Sequence, residues 1–144
     1  MNVLYAFNVS LMRKPYTDPV WDEWKQLLPQ VHDEADAHPG FVARDHGEHY
    51  PLGYITPYPC TPLVMGNLSQ WRSREDLFDF TFTGMHRKMM LRRTDWFEPW
   101  PDRYHALAMW WAPPGKFDIH VARRKLMTLQ LAGPSADVFG WKTP

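Results

Sequence analysis

Apolar and polar residues alternate at the N-terminal end of the chain, and this pattern predicts a β-strand. Over residues 3–10, the odd positions carry Val, Tyr, Phe and Val, and the even positions carry Leu, Ala, Asn and Ser, a period of two that is typical of a strand. Asp18 and Pro19 then supply a helix cap and a proline in the first turn. Apolar residues recur at helical intervals behind them, which predicts a helix over residues 19–37.

The rest of the chain continues to alternate between strands and helices. Ser73, with Asp76 three residues later, forms a capping-box pattern that predicts the start of a second helix. The other elements expected from the pattern are strands at residues 41–44, 63–71, 104–112 and 137–142, and helices at about 73–95 and 118–132. The order is β-α-β-β-α-β followed by an added α-β, and its first six elements are the split βαβ arrangement. The sequence therefore predicts a single α+β, ferredoxin-like domain over residues 1–144.

The packing expected of this fold predicts a homodimer. We expect the helices to cover one face of the antiparallel sheet. The other face must then be buried as well, and packing against the sheet of a second copy is the usual way to bury it. The pairing of two such sheets gives a dimeric α/β barrel. The chain also holds eight Trp, eight Phe and six Tyr residues, more than a core of this size ordinarily uses. An aromatic-lined cavity or a broad dimer interface would accommodate them.

Charge and hydropathy exclude several classes of partner. Lys plus Arg and Asp plus Glu both number 16, so the net charge is zero and no basic field favours nucleic acid. No apolar run is long enough for a membrane span. The N-terminal residues lack the basic region of a signal peptide, and the single cysteine, Cys60, excludes an internal disulfide. We therefore expect a cytoplasmic protein that acts on a small molecule.

Residues 46–62 form a stretch rich in proline and glycine without periodicity. A segment of this kind in a small domain is usually functional or mobile, and we expect it to cover one mouth of a cavity. The cluster His46-Gly47-Glu48-His49 has a spacing that could bind a metal, but it is one short cluster with no further strong ligand near it in the sequence. The sequence holds no phosphate loop, Gly-x-Gly-x-x-Gly or Gly-x-Ser-x-Gly motif, so no nucleotide cofactor or hydrolase triad is expected.

Several motifs resemble those of an uncharacterised bacterial and fungal family in the dimeric α/β-barrel superfamily, beside the antibiotic biosynthesis monooxygenases. The matching residues are Gly66–Leu77 (GNLSQWRSREDL), His86-Arg87, Arg92-Arg93, Trp96-Phe97, Trp110-Trp111 and Gly133-Pro134-Ser135, with Ala6-Phe7-Asn8 and Pro39-Gly40-Phe41-Val42 in the N-terminal half. Relatives in the superfamily include cofactor-free monooxygenases, haem-degrading monooxygenases and haem-containing proteins resembling spheroidene monooxygenase. The resemblance implies an oxygenase-type enzyme of specialised, antibiotic-like metabolism acting on an aromatic or polyene substrate.

His86 is the central candidate for the site. The resemblance places it at the position of the axial iron ligand in the haem-degrading group, so the cofactor is either haem or none. On a continuous helix, His86 would share an apolar face with Phe82, Met89 and Arg93. The residues leave three roles open: an iron ligand, a proton acceptor, or a core histidine that binds a backbone carbonyl.

The other candidates would complete a pocket around a planar ligand. Asn8 and Asn67 lie among apolar residues of two predicted strands and act either as strand-end hydrogen-bonding groups or as polar anchors in a cavity. Arg87, Arg92 and Arg93 would neutralise a substrate anion or a haem propionate, or else lie at a solvated helix end. The aromatic residues would form a stacking wall or pack in the core and the interface: Trp71, Trp96, Phe97, Trp110 and Trp111. A haem-binding protein without turnover and a non-oxidative cyclase or isomerase remain alternatives to the monooxygenase.

Overall fold

The computed structural model describes residues 1–45 and 63–141. The strands are β1 (Val3–Met12), β2 (Phe41–Arg44), β3 (Val64–Trp71), β4 (Phe97–Glu98) and β5 (Leu107–Ala112), and the helices are α1 (Asp22–Ala37), α2 (Arg74–Thr81), α3 (Gly84–Leu91) and α4 (Ile119–Ala132). Short 3₁₀ turns at Pro19–Trp21 and Arg93–Asp95 precede α1 and follow α3. In the described ranges, no helix has the length and apolar character needed to cross a membrane.

The sheet is antiparallel and is built around β1. Strand β3 pairs with one edge of β1, from Leu4↔Trp71 to Leu11↔Val64. Strand β5 and the short β4 both pair with the other edge, and β2 pairs with β3. The connection β1-α1-β2 therefore spans the intervening β3, which is the split βαβ topology. The α+β, ferredoxin-like fold expected from the sequence is confirmed.

Helices cover both faces of this sheet. Side chains of α1, α2 and α3 pack on the face that carries Leu4, Ala6 and Met12. Helix α4 packs on the opposite face, where Ala122, Leu126 and Leu129 join a cluster of buried residues that begins at Val3. The expectation that helices cover one face only was therefore wrong, because the added α4 returns across the second face. The apolar surface from which the dimer was predicted is largely buried within one chain.

Capping side chains fix the ends of the predicted helices. Asp18 accepts a hydrogen bond from the Val20 N–H at 2.9 Å and thereby starts the 3₁₀ turn before α1. The Ser73 side chain accepts from the Asp76 N–H at 3.1 Å and donates to the Asp76 carboxylate at 2.8 Å, so the predicted capping interaction at the start of α2 is confirmed. Asp118 caps α4 in the same way, accepting from the His120 N–H at 2.9 Å.

The single helix predicted for about residues 73–95 was wrong. The chain leaves α2 after Thr81 and begins α3 at Gly84, which has a left-handed φ of +55°. This conformation is one that glycine adopts without a steric penalty. The break rotates the residues beyond Gly84 relative to α2, so Phe82 and His86 do not share a helical face.

Two further boundaries differ from the sequence expectation. The final strand predicted for 137–142 is reduced, within the described part, to a bridge between Phe139 and Met109. The short strand β4 was not predicted, because two residues give no periodic signal. The segment 46–62, with Cys60 and the histidines at 46 and 49, lies outside the described residues.

Candidate functional site

Two asparagines mark an opening in the layer of helices that covers one face of the sheet, the face on which α1, α2 and α3 pack. Asn8 of β1 and Asn67 of β3 are directly opposite each other in the register, and both side chains are exposed. Their neighbours on the same face are not, since Ala6 is 3% exposed and Met65 is 6% exposed. The helices therefore leave the sheet uncovered at this point. The two amides offer hydrogen-bond donors and acceptors to a molecule that enters the opening.

Two apolar clusters form the sides of this opening. The first contains Met12, Trp21, Val31, Met65, Met89 and Trp96, and the second contains Leu4, Ala6, Trp71, Leu77 and Met109. Along β1, Ala6 belongs to the second cluster and Met12 to the first, so Asn8 lies between them. Phe80 of α2 packs against both clusters. A polar pair between apolar sides is the usual composition of a small-molecule site.

His86 lies on the same side of the sheet and is held in one orientation. Its ring centroid is 5.2 Å from that of Phe80, and its Nδ1 is 2.8 Å from the carbonyl oxygen of Thr81. A carbonyl oxygen can only accept, so Nδ1 carries the proton and donates it. Every fully buried side-chain nitrogen or oxygen in the described part of the chain has a hydrogen-bond partner. Nε2 of His86 has no such partner among the described residues, so it is not fully buried. Nε2 is therefore reachable from solvent.

Burial of the imidazole lowers the pKa of His86 below its ordinary value of 6.5, while the hydrogen bond to Thr81 and the Glu34 carboxylate raise it by less. The neutral ring is therefore the dominant form at neutral pH. With the proton fixed on Nδ1, the lone pair of Nε2 is free to accept a proton or to bind a metal. In the described residues, no cluster of three or more metal-ligating side chains occurs.

The predicted arginines do not converge on His86. Arg92 forms ion pairs with Glu23 and with Asp95 and lies 4.9 Å from the Trp96 ring, and these two carboxylates raise the pKa of Arg92 further. Arg93 donates to the carbonyl of Met90 at 3.2 Å. Both arginines are therefore held at the end of α3. Arg87 is exposed, and its side chain contacts no charged or polar group in the part of the chain that the structure describes.

The predicted aromatic wall is divided between the two faces of the sheet. Trp96 and Met89 lie in the first cluster and Trp71 lies in the second, so these three side chains flank the opening from different sides. Trp110 lies on the opposite face, where its ring stacks on Tyr5 at 5.5 Å.

The other predicted aromatic side chains are also outside the opening. Phe82 caps the end of α2 and packs at 4.6 Å from Phe78 in a shallow groove beside Trp141. Phe97 packs against Trp21 at the rim of the first cluster, and Trp111 is 44% exposed. Trp110, expected in the stacking wall, and Phe82, expected on the helical face of His86, do not lie beside His86.

Two side chains of the site were missed from the sequence. Phe80 connects the clusters and contacts His86, and its spacing of three residues from Leu77 gave a signal that could have found it. Glu34 of α1 accepts a hydrogen bond from the Met85 N–H at 2.8 Å. It lies 51 residues away along the chain, and nothing in the local sequence indicates that contact.

The strand order and the site together define an α+β, ferredoxin-like protein with a histidine on the sheet face that α1, α2 and α3 cover. No curated protein matches the chain significantly. A family model matches residues 3–144, and the chain belongs to this family, the DUF3291 family, whose description is a domain of unknown function.

Solved structures with similar folds come from three organisms. PA3566 from Pseudomonas aeruginosa is 9% identical, with a TM-score of 0.49 over 81% of this chain and 97% of that one. A conserved protein from Methanosarcina mazei Go1 is also 9% identical, with a TM-score of 0.49 over 80% and 95%. A Nitrosomonas europaea protein, provisionally described as an antibiotic biosynthesis monooxygenase, is 15% identical, with a TM-score of 0.43 over 78% and 88%. The fold assignment above rests on strand order and register.

Proposed function

We propose that this protein is a small-molecule enzyme of the monooxygenase type, acting on an electron-rich aromatic or polyene substrate in the opening above Asn8 and Asn67. The observation that carries the proposal is the orientation of His86. Its Nδ1–H is donated to Thr81, so the neutral ring presents a free Nε2 lone pair that solvent can reach. A fixed, neutral imidazole is suited to general base catalysis.

The proposed chemistry follows from these groups. Nε2 of His86 removes a proton from a substrate hydroxyl, and amide N–H groups of Asn8 and Asn67 stabilise the resulting anion. The anion then reacts with O₂. One oxygen atom enters the substrate as a carbonyl in place of two hydrogens, and the other leaves as water. The substrate supplies all four electrons, as in the oxidation of a phenol to a quinone, so the reaction needs no external reductant.

The same geometry favours haem binding as a second candidate function. Histidine ligands of metals commonly donate the second ring nitrogen to a carbonyl or carboxylate, and Nδ1 of His86 does so. The imidazole therefore fits a ligand of a haem iron, and the exposed Arg87 would be available for a propionate. Haem would supply a redox centre for oxygen chemistry, while His86 would hold it and the apolar clusters would exclude water.

The visible spectrum, recorded before and after addition of haem, tests both functions. If His86 binds iron, His86→Ala should remove the Soret band, while His120→Ala, which changes an exposed histidine on α4, should keep it. If the site is cofactor-free, neither variant changes the spectrum. O₂ consumption with a phenol that carries hydrogen at its para position should then fall about 10²–10⁴-fold in His86→Ala, the usual range for a lost general base.

Other outcomes of these assays would overturn the proposal. Turnover without O₂ consumption would exclude the oxygenase and indicate a cyclase or isomerase. A His86→Ala variant that loses about 1–3 kcal/mol of stability through an unpaired partner, but works normally, would remove His86 from the site.

We also propose that the protein is a homodimer. Because α4 covers the second sheet face, stacking of the two sheets is no longer the basis for this proposal. Its support is the apolar surface left on α4, where Met127 is 37% exposed and Leu131 is 67% exposed. Light scattering at micromolar concentration should give twice the chain mass of 17.0 kDa. A mass of a single chain would refute the dimer.

A further inference from the structure

The N-terminus of α3 is capped by a side chain from another helix. Thr83, the residue in the cap position, uses its hydroxyl to donate back to the Asp79 carbonyl at 2.7 Å and caps nothing in α3. The carboxylate of Glu34, on α1, instead accepts from the Met85 N–H at 2.8 Å. A carboxylate at this end of a helix satisfies a free N–H and interacts favourably with the helix dipole.

Gly84 makes this capping contact possible. Its φ of +55° directs the chain out of the turn after α2, and a Cβ built on this residue would lie 2.6 Å from Oε2 of Glu34. A residue with a Cβ at this position would therefore displace the Glu34 carboxylate. The turn and the cap therefore depend on each other.

His86 is the third residue of α3, and its Nδ1–H reaches back to the last residue of α2, Thr81. This hydrogen bond requires the start of α3 and the end of α2 to keep a fixed separation. We propose that Glu34 is the positioning residue of the His86 site: by capping α3, it holds the turn in the geometry that fixes the Nδ1–H tautomer and leaves the lone pair of Nε2 unpaired. This inference rests on the proposed function, in which Nε2 is the working atom.

The tautomer can be measured without a substrate, from the ¹⁵N chemical shifts of the His86 ring at a fixed pH of about 8. In the unsubstituted protein, one ring nitrogen should show the shift of a protonated nitrogen and the other that of a bare one. Glu34→Ala should average the two shifts and speed the hydrogen exchange of the Met85 amide. Glu34→Gln keeps an oxygen acceptor and should restore both signals. Asp33→Ala is the matched control, because Asp33 is an exposed neighbour on α1 without a side-chain contact in the described residues.

The variants distinguish positioning from general stabilisation. If Glu34→Ala does not fold, Glu34→Asp takes its place, since it keeps the charge but shortens the reach and should also average the shifts. The proposal is overturned if Glu34→Ala, or Glu34→Asp in its place, leaves the His86 shifts as in Asp33→Ala. It is also overturned if Glu34→Gln disturbs them as much as Glu34→Ala does. A normal tautomer response with no turnover on any substrate would instead count against the proposed function alone.

Discussion

Replacement of Gly84 by alanine should destabilise the protein through two separable effects. Alanine in the left-handed region costs about 1–2 kcal/mol more than glycine. The added Cβ would also lie 2.6 Å from Oε2 of Glu34, so the carboxylate must move and its hydrogen bond to the Met85 N–H is lost. For an exposed bond of this type we expect a further loss of about 1 kcal/mol. The total for Gly84→Ala is about 2–3 kcal/mol.

Urea denaturation monitored by tryptophan fluorescence measures this loss as a lower midpoint with an unchanged m-value. For a chain of this size, each kcal/mol corresponds to about 3–4 °C in melting temperature. Gly115→Ala is the matched control, because no atom lies within 4 Å of a Cβ at this position and its φ is not positive. We expect it to change stability by less than about 0.5 kcal/mol.

A double-mutant cycle separates backbone strain from the clash. In the Glu34→Ala background the clash is absent, so Gly84→Ala should cost only the conformational part, about 1–2 kcal/mol. Additive effects of the two substitutions would show that Cβ and the carboxylate do not compete for the same space. A Gly84→Ala protein as stable as the Gly115→Ala control would refute the reasoning about the turn as a whole.

Two further predictions concern pH. The pKa of His86 is lower in the folded protein than its ordinary 6.5, so the unfolded chain binds a proton first as the pH falls, and stability should decrease below about pH 6.5. The urea midpoint of His86→Gln should decrease less over this pH range. Equal decreases in the two proteins would contradict the prediction. Burial raises the pKa of Tyr5 above 10.0, so the unfolded chain ionises first and stability should fall above about pH 10. Tyr5→Phe should reduce this loss of stability at alkaline pH. The same substitution removes the hydrogen bond from the Tyr5 hydroxyl to the Pro113 carbonyl at 2.9 Å and should therefore cost about 0.5–1.5 kcal/mol of stability at pH 7. An alkaline profile unchanged in Tyr5→Phe would contradict the assignment of the loss to Tyr5.

The sequence predicted the fold well where the signal was local. Alternation identified β1, and the capping interaction of Ser73 with Asp76 marked the start of α2 within a residue. The break after Thr81 was missed because its cause is not local: a glycine in the second half of a good helical pattern is ordinarily tolerated. The structure favours Gly84 there because the turn has a left-handed φ of +55° and because Glu34, from another helix, lies where a Cβ would be.

The site was predicted in part for the same reason. His86, Asn8 and Asn67 lie on the same side of the sheet, the one that α1, α2 and α3 cover, as the interpretation of a pocket requires. Trp110 was assigned to the wrong face because the sequence gives no sign of which sheet face α4 will cover, and an aromatic side chain is suited to either face. Phe82 was assigned to the helical face of His86 on the assumption of one continuous helix. Both errors concern packing between elements distant in the chain, which periodicity alone does not determine.

The central place of β1 has a consequence for how the chain reaches its folded state. This strand precedes the other four in the chain, yet one of its edges pairs with β5, where Leu4 is opposite Trp111. Bringing these segments together closes a loop of about 100 residues, and contacts of such long sequence separation slow folding. During synthesis, β1 must wait until residues 107–112 have left the ribosome, and α4 follows later still. A nascent chain stopped before β5 would leave an edge of β1 unpaired, the kind of exposed edge that favours association with other chains.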